Sequence, residues 1–104
     1  MVRMRYKYGC DMRGMFSFQI LWLLSKRKMS GEEIAREIAK RRGEKPKAGT
    51  LYPALKELRM ANMVNGVRSG RTITYSLTAH GRICLRHALT YFCRSFGDVF
   101  NDAK

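Results

Sequence analysis

Gly49-Thr50-Leu51-Tyr52-Pro53-Ala54-Leu55-Lys56-Glu57-Leu58 is the stretch on which the reading of this chain turns. Leu51, Leu55 and Leu58 recur at intervals of four and three, the spacing that lines up one buried stripe on a helix. Pro53 lacks an amide hydrogen and clashes with the preceding turn unless it stands in the first turn, so the helix is predicted to begin near Gly49 or Thr50. It should end near Ala61 to Met63, with Lys56 and Arg59 turned away from the core.

Upstream, Ser30 with Glu33 three residues later forms a capping box and predicts a second helix running to about Lys40, with Ile34, Ala35 and Ile38 on its inner face. The segment from Arg41 to Lys47 holds Gly43, Pro46 and the cations Arg41, Arg42, Lys45 and Lys47, as a solvated turn between helices does. Before it, Met12, Met15, Phe16, Ile20, Leu23 and Leu24 follow helical spacing and predict a first helix over 12–26. Residues 1–11 alternate basic with aromatic or apolar types and read as a basic arm.

Downstream, Ile73, Tyr75 and Leu77 alternate with Thr72, Thr74 and Ser76, so Val64 to Arg68 and Arg71 to Leu77 are predicted to pair as a hairpin tipped by Ser69-Gly70. Thr78 is the expected N-cap of a last helix that carries Leu85, Leu89, Phe92 and Phe96 on one stripe, with Gly97 permitting its end. The fold class expected is mainly α with a small β-hairpin: a winged helix-turn-helix over 12–78 and an additional C-terminal dimerisation helix and tail over 79–104.

Two motifs, Gly49 to Leu55 and Ser76-Leu77-Thr78-Ala79-His80-Gly81-Arg82, together resemble the PadR family of winged-helix transcriptional regulators. The resemblance runs from about Arg13 to the last helix. It implies a three-helix core with a two-stranded wing, a dimer held by the first and last helices, and repression at a dyad-symmetric operator, often relieved by a small molecule. Three differences stand out. Gly31-Glu32-Glu33-Ile34 occupies a place where relatives often have Gly-Tyr-Glu-Ile, the second wing strand lacks a basic pair before Tyr75, and the C-terminal region is a single helix, similar to the short subgroup.

Composition agrees with a nucleic-acid partner. Within 104 residues, 21 Lys and Arg against 8 Asp and Glu leave a net charge of +13, which draws polyanions. A helix entering the major groove presents its N-terminal residues to base edges while neighbouring cations hold phosphates. Candidate DNA contacts are therefore Arg41, Arg42, Lys45 and Lys47 on the approach, Gly49, Thr50, Tyr52 and Lys56 on the third helix, and Arg68 and Arg71 at the wing tip. The plainer readings are a solvated basic turn, Thr50 as a helix cap, Tyr52 as a half-buried packing residue, and wing arginines that guard a sheet edge. Candidate dimer-interface residues are Phe16, Ile20, Leu85, Leu89, Phe92 and Phe96, the alternative being that this stripe covers the monomer's own core.

The apolar run from Met15 to Leu24 is too short to cross a bilayer, and Lys26, Arg27 and Lys28 follow it rather than a cleavage site, so a cytoplasmic protein is expected. Cys10, Cys84 and Cys93 are odd in number and lack CxxC spacing, which fits reduced thiols. His80, Cys84 and His87 share a predicted helical face, but three ligands from one helix rarely close a metal site, and no metal or cofactor is expected. Trp22, Tyr91, Phe92, Phe96 and Phe100 offer material either for ordinary packing or for a cavity that accepts a small aromatic effector. No nucleophile-base pair, phosphate loop or paired carboxylate is present, so no enzyme is expected. A structural nucleic-acid binder without sequence preference, and a ligand or metal sensor, are the rival functions.

Overall fold

The computed structural model describes residues 13–103, so the basic arm over 1–11 lies outside the described residues. The elements run α1 (Arg13–Leu24), β1 (Met29–Ser30), α2 (Gly31–Arg42), α3 (Ala48–Met60), β2 (Val64–Ser69), β3 (Thr72–Leu77) and α4 (Ala79–Ala103). Helix α1 is the hub: Phe16, Ile20, Leu21, Leu23 and Leu24 are all buried, and the helix touches α2, α3, α4 and β3. Ile34 and Ile38 of α2 and Leu51, Leu55 and Leu58 of α3 close the same core.

Local chemistry sets the element ends. The Ser30 hydroxyl accepts from the Glu33 amide at 3.1 Å while the Glu33 carboxylate accepts from the Ser30 amide at 2.8 Å, which completes the capping box of α2. Helix α2 then runs on through Arg42 to a left-handed Gly43, so Arg41 and Arg42 belong to its last turn and not to the loop where the sequence placed them. Their last-turn position suits cations, which face the carbonyl end of the helix dipole.

Helix α3 starts at Ala48, slightly earlier than predicted, and this moves Pro53 out of the first turn into the helix body. The missing amide leaves the Gly49 carbonyl without its helical partner on an exposed face, where water can satisfy it. At the far end Asn62 adopts φ 62°, the Met63 amide donates to the Leu58 carbonyl and the Asn62 amide to that of Arg59, both at 2.9 Å. This is a Schellman stop with asparagine in the left-handed position.

Strands β2 and β3 pair antiparallel from Val64 opposite Leu77 to Ser69 opposite Thr72. Gly70, with φ 65°, takes the first of two loop positions, where a two-residue hairpin turn of type II′ needs positive φ. A third strand was not foreseen: β1 pairs with β3, Met29 opposite Tyr75 and Ser30 opposite Thr74, giving the order β1-β3-β2. Two residues are too few to show any alternation in sequence.

Thr78 caps α4 as predicted, its hydroxyl accepting from the Gly81 amide at 2.8 Å and donating to the Asn62 carbonyl at 2.7 Å. A Cβ on Gly81 would run into the Met63 carbonyl, so this glycine lets α4 press against the exit of α3. Gly97 does not end the helix. It sits inside α4, where glycine costs only about 1 kcal/mol relative to alanine and the following Asp98, Val99 and Phe100 continue the turns. At 25 residues α4 is about 37 Å long by helical rise, and its C-terminal half projects beyond the core. No helix among the described residues is long and apolar enough to cross a membrane.

Candidate nucleic-acid interface

Helix α3 divides its residues among three directions. Leu51, Leu55 and Leu58 go to the core. Tyr52, Lys56, Arg59 and Met60, related by helical spacing, form one wall of a trough of about 570 Å³ whose other wall is β2 with Val64, Asn65 and Gly66 and whose floor includes Tyr75. Gly49, Thr50, Pro53, Ala54 and Glu57 border a second trough of about 500 Å³, closed by Phe16 and Ser17 of α1. Thr50 and Tyr52 thus leave the helix on opposite flanks, although the sequence reading treated them as one surface.

Between the troughs the exposed crest of α3 carries Gly49 and Lys56. A Cβ at Gly49 would meet nothing within 4 Å, so the crest is free to lie close to a partner. Tyr52 has a packing duty as well as an exposed edge. Its ring lies over Gly31 so closely that a Cβ there would stand 2.6 Å from the Tyr52 hydroxyl, and the glycine at the start of α2 makes room for it.

The predicted cations separate into two sets. Arg41 donates to the Glu37 carboxylate at 2.9 Å and lies over the Trp22 ring, 5.2 Å from its centroid. Arg42 donates to Gln19 Oε1 at 2.9 Å and lies over Phe16. Lys45 pairs with Glu32. All three are engaged by the protein, two of them on the α1 side. By contrast Lys47, Lys56, Arg68 and Arg71 are exposed and have no carboxylate within salt-bridge distance among the described residues. Arg59 belongs with them, although it is not among the candidate contacts above; its spacing of seven from Tyr52 and three from Lys56 is the signal in sequence that points to it.

The carboxylates of α2 respond to their partners. The Lys45 hydrogen bond holds Glu32 below the usual glutamate range, the Ser30 amide does so for Glu33, and Arg41 followed by Lys40 does so for Glu37. Burial raises the Tyr75 phenol above its ordinary value, against the opposing effect of the Arg59 charge.

The expected dimer stripe of α4 splits along its length. Phe16, Ile20 and Leu85 are 4%, 0% and 5% exposed within one protomer, so they fill its own core and have no area left for a partner. Leu89 packs against that core, and Phe92 stacks on Phe18 with ring centroids 5.5 Å apart. Beyond them Phe96, Val99 and Phe100 are exposed, with Phe96 and Phe100 gathered around Phe92 at 5.1 and 5.8 Å. A groove of about 480 Å³ between α1 and α4 is lined by Phe18, Trp22, Leu89 and Phe92 beneath Arg41 and Arg42, whereas Tyr91 is exposed. His80 Nε2 and Cys84 Sγ stand 3.6 Å apart, and no three metal-binding side chains converge among the described residues.

Known proteins share this arrangement. Residues 20–87 match the transcriptional regulator PadR-like family. The RosR structure from H. salinarum is 30% identical over 78% of this chain and 74% of that one, with a TM-score of 0.72. A PadR family transcription regulator from Clostridium difficile is 28% identical over 84% and 95%, with a TM-score of 0.71. A putative transcriptional regulator from Thermoplasma acidophilum is 26% identical over 88% and 93%, with a TM-score of 0.67. No curated protein sequence matches the chain. The family match spans well over half of the chain and fits the winged-helix geometry described above: the protein belongs to the PadR-like family of DNA-binding transcriptional regulators and is not an enzyme.

Proposed function

We propose that the protein is a homodimeric, sequence-specific repressor that acts in the cytoplasm on a dyad-symmetric operator. The observation that carries this is the exposed α3 crest, with cations on the helix and on the wing beside it that have no carboxylate partner among the described residues. In this reading α3 enters the major groove with Thr50 at base edges, Lys47 and Lys56 on phosphates, and Arg68 and Arg71 on the flanking backbone. Arg41, Arg42 and Lys45, engaged by Glu37, Gln19 and Glu32, do not touch DNA in this reading. The apolar Phe92, Phe96, Val99 and Phe100 face of α4 supports the dimer, because a projecting helix with such a stripe buries it most readily against another copy.

The test is competitive binding at physiological salt between the protein's own promoter fragment and random duplex of equal length. A preference above about a thousandfold is expected of a specific regulator. Equal affinities would leave a charge-driven binder without sequence preference. A second reading, response to a small aromatic effector, is favoured by the aromatic groove between α1 and α4. It predicts that a flat aromatic ligand quenches Trp22 fluorescence and weakens operator binding in the same concentration range.

A further inference from the structure

The trough between α3 and the wing carries chemistry that the docking reading above uses only at Lys56. Its polar lining residues are Lys56 and Arg59, which only donate, and Asn62, Asn65, Tyr52 and Tyr75, which can each donate as well as accept. No carboxylate borders it among the described residues. Arg59 reaches across from α3 to β2. A Cβ at Gly66 would stand 3.6 Å from Arg59 Nε and 3.4 Å from Tyr75 Cε1, so the absence of a side chain there leaves room for the guanidinium stem on the strand. Tyr75 is buried, yet it lines the trough.

We propose that this trough seats one DNA backbone phosphate, with Arg59 as its principal ligand, Lys56 beside it, and Asn65 and the Tyr75 hydroxyl as neutral donors. The fit is chemical and positional. A phosphodiester presents only acceptor oxygens and one negative charge, which two cations beside groups able to donate satisfy, and guanidinium matches phosphate with paired bonds. One wall of the trough is the recognition helix and the other is the wing, so a strand edging the groove that holds α3 must pass its mouth. The proposal rests on the α3 docking reading and adds a contact that joins helix and wing through a single phosphate.

Fluorescence anisotropy with the operator and with random duplex, across a salt series, tests it in the wild type and in Arg59→Gln, Arg59→Lys and Lys47→Gln. Arg59 is exposed, and no hydrogen bond of its side chain occurs among the described residues, so these variants should fold. Arg59→Gln is expected to weaken both duplexes by the same factor, about fivefold for each bound protomer at about 0.15 M salt, and to reduce the slope of log affinity against log salt by about 0.9 per protomer. Arg59→Lys should restore most of the slope. In a scan of single methylphosphonate substitutions along one half-site, one neutralised position should weaken the wild type and leave Arg59→Gln unchanged.

Wild-type affinity and slope in Arg59→Gln, together with a weakened Lys47→Gln, would overturn the phosphate seat and leave the docking of α3 standing. Wild-type behaviour in both variants would remove the docking reading and the seat together. Saturable binding of inorganic phosphate that Arg59→Gln abolishes, without any change in DNA affinity, would assign the trough to a free anion and likewise overturn the proposal.

Discussion

The outer face of α2 and the face formed by α3 with the wing are both rich in cations, but they treat them in opposite ways. On α2, Glu32, Glu33 and Glu37 pair with Arg27, Arg36, Lys40, Arg41 and Lys45. On α3 and the wing, Lys47, Lys56, Arg59, Arg68 and Arg71 have no such partner among the described residues. Pairs this exposed contribute little to stability, so their main effect is on the field: they cancel charge near α2 and leave the excess concentrated on α3 and the wing. Cation density in sequence is therefore a poor guide to contacts, and the placement of the few carboxylates is a better one.

The contrast can be broken most easily at the wing tip. Replacing both Arg68 and Arg71 with Gln should lower operator affinity on the order of a hundredfold in a dimer and flatten the salt dependence, measured by anisotropy. Lys56→Ala should cost about fivefold per protomer on operator and random DNA alike, as a lost phosphate contact does. On the other face, Lys45→Ala should change DNA affinity by less than about twofold, because Glu32 already neutralises that ammonium; a loss as large as that of Lys56→Ala would erase the distinction between the faces. Glu32→Gln sharpens it from the other side: with Lys45 released, affinity should rise by about twofold and the salt slope should steepen.

The smallest effect expected is on stability against pH. Glu32, Glu33 and Glu37 are held below the usual glutamate value of 4.5, so the folded state binds fewer protons than the unfolded chain in that region. Their contribution is complete above the unfolded value and is lost as pH falls through the lowered folded values. The melting temperature should accordingly drop as the pH is taken below about 4.5, and Glu33→Gln should flatten that part of the curve. An unchanged pH profile in that variant would show that the capping carboxylate is not among the groups responsible.

Much of the architecture was legible because it rests on short-range rules. The capping box at Ser30 and Glu33, the leucine spacing of α3, the alternation of β3 and the Thr78 cap each state their element within a few residues. Gly97 was read as a stop and Arg41-Arg42 as a loop because glycine and basic clusters mark ends only on average, and here the neighbouring turns outweigh them. Strand β1 is two residues long and exists because β3 offers it an edge. Phe16, Ile20 and Leu85 look like an interface when α1 and α4 are read separately, yet they are core once those helices pack on each other.

The sequence alone settled the winged-helix class and the strong positive charge, since periodicity, capping and composition act between neighbours or over the whole chain. It did not settle which cations remain available to a ligand. That required knowing that Glu32 of α2 reaches Lys45 in the loop beyond it and that Arg59 of α3 lies across Gly66 of β2. Charge pairing falls off over a few ångströms, and distances of that size between separate elements come into being only when the chain has packed.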